Sequence, residues 1–313
     1  MAENKEKNTQ DALPFITADE VRRQIGPDRA RELIEAPLKD GFDVASDPDR
    51  GNVAAGSGHL LLMPSTLGRW VGMKVASVAP DNPEKGKPRI QALYILMDSE
   101  TLTPQAVVEG SALTVLRTPA TSAVAIDRLA AKDASRLVVF GSGPQAIDHI
   151  DAIAQIRELK DIRMVARNAE KIEAAIETLR EKGREVTRGA PEDVEQADIV
   201  MCATSAPDPL FDGSLIADGA CVAAIGSHEP DRRELPGDLV GRSFVVVEDE
   251  ETAMREAGDV VLAVQEGKLD RDNLNTLSDL VNSKISRAED RPNVFKGTGM
   301  SWQDLAVASG LSF

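Results

Sequence analysis

The sequence predicts an α/β protein in which a parallel sheet, wound with helices on both faces, is joined to a second region built on a mostly antiparallel sheet. Three observations lead there. Beyond Asp133 the texture is strand, helix, strand, helix: RLVVFGSG, PQAIDHIDAIAQIRE, DIRMVAR, AEKIEAAIETLREKG, ADIVMCAT, ACVAAIG and SFVVVED. Short, near-continuous apolar runs alternating with amphipathic segments are what buried parallel strands and their covering helices look like. From about Gly58 to Met97, HLLLMPS, VGMKVASVAP and IQALYILMD are interrupted by Gly, Pro and Asn, which reads as antiparallel strands. Finally, 313 residues exceed the usual size of one compact core, so two domains are expected.

In chain order, residues 1 to 12 are polar and read as a disordered tail. They contain no apolar leader core, and no apolar run approaches the eighteen residues of a membrane span, so a soluble, cytoplasmic protein is expected. Thr17 followed by Glu20 is a helix start, the hydroxyl and carboxylate capping each other's backbone N–H. The three strand-like runs follow, with the breaker-rich turn DNPEKGKP before the last. SALTVLRTPATSAVAIDRLAA then has helical spacing and reads as a long helix linking the two regions, with Pro119 either kinking it or marking its beginning.

Composition narrows the partners. Hydrophobic residues make up 42% but aromatics only 3%, so packing rests on Ala, Val, Ile and Leu. The net charge of −16, from 36 Lys and Arg against 52 Asp and Glu, repels polyanions and argues against nucleic acid as a partner. Cys202 and Cys221 lie in apolar runs and read as small buried hydrophobes. His59, His149 and His228 sit in unrelated contexts without a second ligand at usable spacing, so no metal site is expected.

The glycine pattern of VVFGSGPQA falls where a strand gives way to a helix. Gly141 permits the tight turn, Gly143 lets the backbone approach a pyrophosphate, and small Ala146 allows close helix–strand packing. Pro144 suits a first helical turn whose free N–H groups, including that of Gln145, face an anion. A dinucleotide site is therefore expected. At the end of the next strand stand Ala166, Arg167 and Asn168, with no carboxylate to accept from a ribose 2′-OH; a guanidinium there can pair with a 2′-phosphate, which predicts NADP(H) over NAD(H). Thr204 and Ser205 end another strand, and Ser227 a third, at the carboxyl edge where cofactors lie in doubly wound sheets.

Cations stand out before this region: Arg50, Lys74 inside an apolar strand-like run, and Arg117 in TVLRTPA. A lysine in a buried strand is rare unless paired or functional, and arginine offers a planar fork to a carboxylate. The runs LLLMPS, GMKVASVAPDNP, ALTVLRTPATSA, FGSGPQA, ADIVMCAT, AIGSHEPDRREL and KGTGMSWQDLA, in this order, resemble the ornithine cyclodeaminase and mu-crystallin family, over nearly all the chain from about Pro14. That family includes ketimine reductases, pyrroline-2-carboxylate reductases and some alanine dehydrogenases. The resemblance implies a homodimer whose subunit pairs a nicotinamide-binding Rossmann domain, residues 122–299, with a discontinuous α+β substrate and dimerisation domain, residues 1–121 and 300–313. It places Arg50, Lys74 and Arg117 on a substrate carboxylate, makes Lys74 a candidate proton donor, and puts Thr118 and the Thr298–Gly299–Met300 segment near the nicotinamide; Asp304, just beyond, reads as a helix cap or a salt-bridge partner.

His228 stands where the ornithine cyclodeaminases of this family carry an aspartate. Such a carboxylate attracts the δ-ammonium of ornithine; a histidine, neutral or positive, does not. The expectation is therefore an imino acid reductase or amino acid dehydrogenase with Lys74 and His228 handling protons. Ornithine cyclodeamination is the alternative reaction, and a non-catalytic, crystallin-like ligand binder the alternative class. The competing reading of His228 is a surface residue hydrogen-bonded to Glu229 or Glu234 amid a solvated ion-pair cluster.

Overall fold

The computed structural model describes residues 12–313, so the expected polar tail, Ala12 apart, lies outside the described residues. One sheet comprises β1 (Phe15–Ile16), β2 (Gly51–Ala55), β3 (Gly58–Leu67), β4 (Trp70–Val78), β5 (Ile90–Asp98) and β6 (Pro104–Glu109), ordered β1-β6-β5-β4-β3-β2. All its neighbours pair antiparallel except β1 with β6. The other sheet holds β7 (Arg136–Phe140), β8 (Asp161–Val165), β9 (Thr187–Arg188), β10 (Ile199–Cys202), β11 (Cys221–Ala224), β12 (Phe244–Val247), β13 (Leu274–Thr276) and β14 (Asn293–Lys296). Its order is β13-β12-β14-β11-β10-β7-β8-β9 and every pairing is parallel.

The helices are α1 (Ala18–Gln24), α2 (Pro27–Lys39), α3 (Gly110–Leu129), α4 (Pro144–Ala154), α5 (Ala169–Glu181), α6 (Gly237–Arg242), α7 (Glu250–Glu256), α8 (Gly258–Gln265), α9 (Leu277–Val281) and α10 (Ser301–Ala308). The capping box at the start of α1 forms as expected: Thr17 N donates to Glu20 Oε2 at 2.8 Å and Glu20 N to Thr17 Oγ1 at 3.4 Å. Two apolar clusters show that the parallel sheet is covered on both faces. Along β7, Leu137 and Val139 belong to one, Val138 and Phe140 to the other. The first is continuous with the packing of α2, α3 and α10 against the antiparallel sheet, so both sheets share it. This is the Rossmann-type α/β fold with an appended α+β region. Cys202 and Cys221 are free and buried, on adjacent strands.

The linking helix differs from expectation in one respect. Pro119 lies in the middle of α3 rather than at its start, and the helix runs unbroken past it. The ring leaves the Val115 carbonyl without its helical N–H, and the hydroxyls of Thr118 and Thr121 donate to the carbonyls of Thr114 and Arg117, each at 2.9 Å. Since α3 is buried along most of its length and packs in the shared cluster, the boundary placed at 121/122 falls inside one rigid element. The sequence reading passed over β1, β2, β6, β9, β13 and β14. They are short or polar segments whose pairing is set by neighbours rather than by their own periodicity.

Candidate active site

Between the sheets opens a cleft whose lining is mostly apolar with a few convergent polar and charged side chains, the character of a small-ligand site. Its floor comes from β3 to β5, one side from α3, and the other from the carboxyl edge of the parallel sheet. Arg50, Lys74, Arg117, Thr118, Gln145, His228 and Gly299, expected from widely separated stretches, all line it.

Lys74 faces the cleft because β4 alternates: Gly72, Lys74 and Ala76 share the buried face. The side chain is only 3% exposed, so its charge needs a partner. Asp304, fully buried in α10, supplies one: its Oδ2 lies 2.5 Å from Lys74 Nζ. The other carboxylate oxygen lies 3.7 Å from Arg117 Nε. Burial drives the Lys74 pKa down to about 8, Arg117 and Arg50 push the same way, and Asp304 opposes them.

Arg117 is steered by a second carboxylate. Its Nη1 donates to Gln303 Oε1 at 3.2 Å, and Gln303 Nε2 donates to Glu248 Oε1 at 2.6 Å. Glu248 Oε2 accepts from the backbone N–H of Thr298 (2.7 Å) and Gly299 (2.9 Å). Gly299 has φ +81°, and a Cβ there would sit 2.2 Å from Arg117 Nη1, so only glycine lets the guanidinium into the cleft. Arg50, immediately before β2, pairs with Glu256 of α7; burial and the charge of Arg117 lower its pKa to about 10.

His228 lies on the loop after β11, its side chain open to solvent at the cleft wall. Loss of hydration within the concave wall, then the positive charge of Arg50, lowers its pKa below the usual histidine value, so the ring is neutral at pH 7. The surface ion-pair cluster expected as the alternative is dispersed: Arg232 pairs with Glu229 and Arg233 with Glu266, while Glu234 is buried, accepting from Thr204 N and Gly226 N at 2.7 Å each.

At the nucleotide edge, Gly141 has φ +119°, and a Cβ would meet the Ala203 carbonyl at 2.5 Å. Gly143 caps α4 with open space where a Cβ would point; Pro144 takes the first helical position, and Ala146 is fully buried. Gln145 Oε1 is buried without a hydrogen-bond partner among the described residues. A turn with room ahead of a helix N-terminus, beside an unsatisfied amide oxygen, fits a dinucleotide. Arg167 is exposed at the end of β8 and has no ion-pair partner among the described residues. Asn168 spends its side chain capping α5, accepting from Lys171 N at 2.9 Å. Thr204 Oγ1 donates to Glu234, and Ser205 is exposed beside it. The Ser227 hydroxyl turns into its own loop, donating to the Arg232 carbonyl at 2.5 Å, and its backbone carbonyl accepts from Lys296 Nζ at 2.6 Å. Among the described residues no group of three His, Cys, Asp or Glu is arranged to hold a metal, and no helix is long and apolar enough to cross a membrane.

The model of the ornithine cyclodeaminase/mu-crystallin family matches residues 17–311. The chain belongs to this family. It is 33% identical over 308 residues to a delta(1)-pyrroline-2-carboxylate reductase of Bacillus thuringiensis subsp. konkukian, covering 95% of this chain and 94% of that one. To the rat ketimine reductase mu-crystallin it is 28% identical over 309 residues, 95% and 96% of the two chains. Among solved structures, the delta(1)-pyrroline-2-carboxylate reductase of Thermococcus litoralis, in complex with NADH and L-proline, superposes with a TM-score of 0.90 at 27% identity, covering 95% of this chain and 96% of that chain.

Within this family member, sequence reasoning gave Asp304 no more than a cap or a salt bridge, and it passed over Gln303, Glu248 and Glu256. The signal for the first pair was present: WQDLAVA puts two polar residues into an otherwise apolar helix, and both are fully buried.

Proposed function

We propose that this protein reduces the C=N bond of a cyclic 2-imino acid, pyrroline-2-carboxylate or its six-membered homologue, to the amino acid, with NADPH preferred. The chain is an NAD(P)H-dependent oxidoreductase of imino or amino acids; the finer reading rests on the convergence of Arg50, Lys74, Arg117 and His228 in one cleft with the nucleotide edge. Arg117 and Lys74, with Arg50 released from Glu256, hold the carboxylate and fix C2 in place. A nicotinamide cofactor, when bound, would provide the hydride that C2 receives. As the C=N electron pair withdraws to nitrogen, Lys74 Nζ gives that nitrogen a proton. The sum is imino acid, NAD(P)H and a proton giving amino acid and NAD(P)⁺.

The remaining wall, with Leu61, Met63, Ala76, Ile90 and Ile225, is apolar and suits ring methylenes. Glu248 has both oxygens engaged, Asp304 gives one oxygen to Lys74, and His228 is neutral, so a side-chain ammonium such as that of ornithine meets no uncommitted carboxylate in the cleft lining among the described residues. Arg167 is the group that favours NADPH, facing solvent without a competing carboxylate partner among the described residues.

The reading divides the chain into a dinucleotide domain, 122–299, and a substrate and dimerisation domain, 1–121 with 300–313. The outer face of the antiparallel sheet supports pairing of two copies: Leu60, Val75, Ile90 and Leu93 line an open apolar hollow, and Ile90 and Leu93 are 48% and 49% exposed.

Oxidation of NADPH with pyrroline-2-carboxylate and piperideine-2-carboxylate tests the reaction. Turnover is expected with at least one, falling as pH rises through about 8 because only the ammonium form of Lys74 donates a proton. Absence of turnover with both, alongside ammonia released from ornithine, overturns it.

A further inference from the structure

Two buried cations side by side repel each other, and each on its own would tend to shed its charge or its position. In this cleft Lys74 and Arg117 are 3% and 8% exposed, and the group between them is Asp304, itself fully buried. One carboxylate oxygen takes Lys74 Nζ at 2.5 Å; the other, 3.7 Å from Arg117 Nε, has no hydrogen bond among the described residues, and neither does that Nε. The carboxylate is thus committed to Lys74 and only loosely coupled to Arg117, whose guanidinium, held through Nη1 by Gln303, keeps donors for another anion.

Resting on the reductase reading above, we infer that Asp304 is a positioning residue: it holds the Lys74 ammonium charged and aimed at the substrate nitrogen, and keeps it apart from Arg117 while the substrate carboxylate is absent. The groups facing Lys74 come from every wall. Thr114 Oγ1 from α3 lies at 3.5 Å, Arg117 enters from the same helix, and Arg50 from ahead of β2. Tyr94 sits opposite on β5, its hydroxyl buried without a partner among the described residues and within the field of Asp304 and Asp47. Across the cleft stand His228 and Glu248, the latter tied to Gln303 and the 298–299 backbone. Of these, Asp304 alone gives Lys74 a charge-assisted hydrogen bond, and the two arginines work against the ammonium. Its place on α10, 230 residues along the chain, makes the proton donor depend on the docking of the C-terminal helix.

The test is the pH profile of kcat/KM for imine reduction by the full chain, compared with Asp304→Asn and Asp304→Glu, with nucleotide binding followed by NADPH fluorescence. Asp304→Asn is expected to bind NADPH as the wild type does and to move the alkaline limb about one pH unit or more toward acid, because the isosteric amide keeps the packing and removes the charge. Asp304→Glu keeps the charge and is expected to leave the limb in place while kcat falls about tenfold or more through misplacement of the ammonium. An Asp304→Asn limb that stays put overturns the inference. Should that variant fail to fold, Asp304→Glu decides: a limb displaced toward acid, or an unchanged kcat, overturns it. A wild-type chain that reduces neither cyclic imine brings down the reductase reading and this inference with it, whereas an active wild type with an unmoved Asp304→Asn limb brings down the inference alone.

Discussion

The two walls of the cleft are built on opposite principles. On the nucleotide side the backbone makes the site: Gly141 at φ +119°, Gly143 with empty space ahead of it, and a helix N-terminus, all within a few consecutive residues. On the substrate side charged side chains make it, and they come from β4, α3, α10 and the segment before β2. A backbone site spends little free energy on burial, since its donors are orphan helix N–H groups. A side-chain site of buried charges must satisfy each one, and so Lys74, Arg117, Asp304, Gln303 and Glu248 form a single chain of contacts. The first wall should therefore be sensitive to bulk, the second to charge.

The largest expected effect lies on the charge side. Lys74→Met should lower kcat by about a thousandfold, the range for loss of a positioned proton donor, with NADPH affinity retained. Steady-state kinetics beside fluorescence titration measure both, and a kcat within threefold of wild type would remove Lys74 from the chemistry. Next comes bulk: Gly143→Val meets nothing in the fold, so the melting temperature should hold while the KM for NADPH rises about a hundredfold through obstruction of the pyrophosphate approach. Gly141→Val, by contrast, collides with the Ala203 carbonyl and should destabilise the fold itself by several kcal/mol in denaturant titration, roughly the cost of strain plus a backbone clash. If both valines behaved alike, the open space at Gly143 would not be a ligand's. Arg167→Gln should raise the KM for NADPH about tenfold and leave that for NADH unchanged, as loss of one charge-assisted contact implies. The smallest change is expected at His228→Asn: about threefold in kcat, since a neutral, solvent-facing ring beside Arg50 lines the cleft wall while Lys74 supplies the proton.

The same contrast explains what could be read in advance. The glycine turn, the alternation of strands and helices, and the capping box of α1 are local patterns whose geometry is dictated within a few residues. Lys74 and Arg117 stood out because charge in an apolar run is locally anomalous. Their shared partner was not legible: Asp304 lies 230 residues from Lys74, and nothing in WQDLAVA names the strand it will face. Likewise the release of Ser227 and Asn168 from direct side-chain duty depends on which backbone groups those side chains meet. Pro119 shows the limit from the other direction: a local helix breaker is tolerated in α3 because burial on many sides holds the helix through it.

By itself, then, the sequence determined the fold class, the dinucleotide turn and the identity of the cations, because periodicity, glycine stereochemistry and the cost of burying charge act on neighbours in the chain. Only the tertiary structure decided how those cations are paired, that Glu248 is held by Gln303 and the 298–299 backbone, and that Asp304 is turned onto Lys74. Electrostatic pairing depends on distance in space, and residues hundreds of positions apart acquire that distance only when the two sheets and α10 close around the cleft.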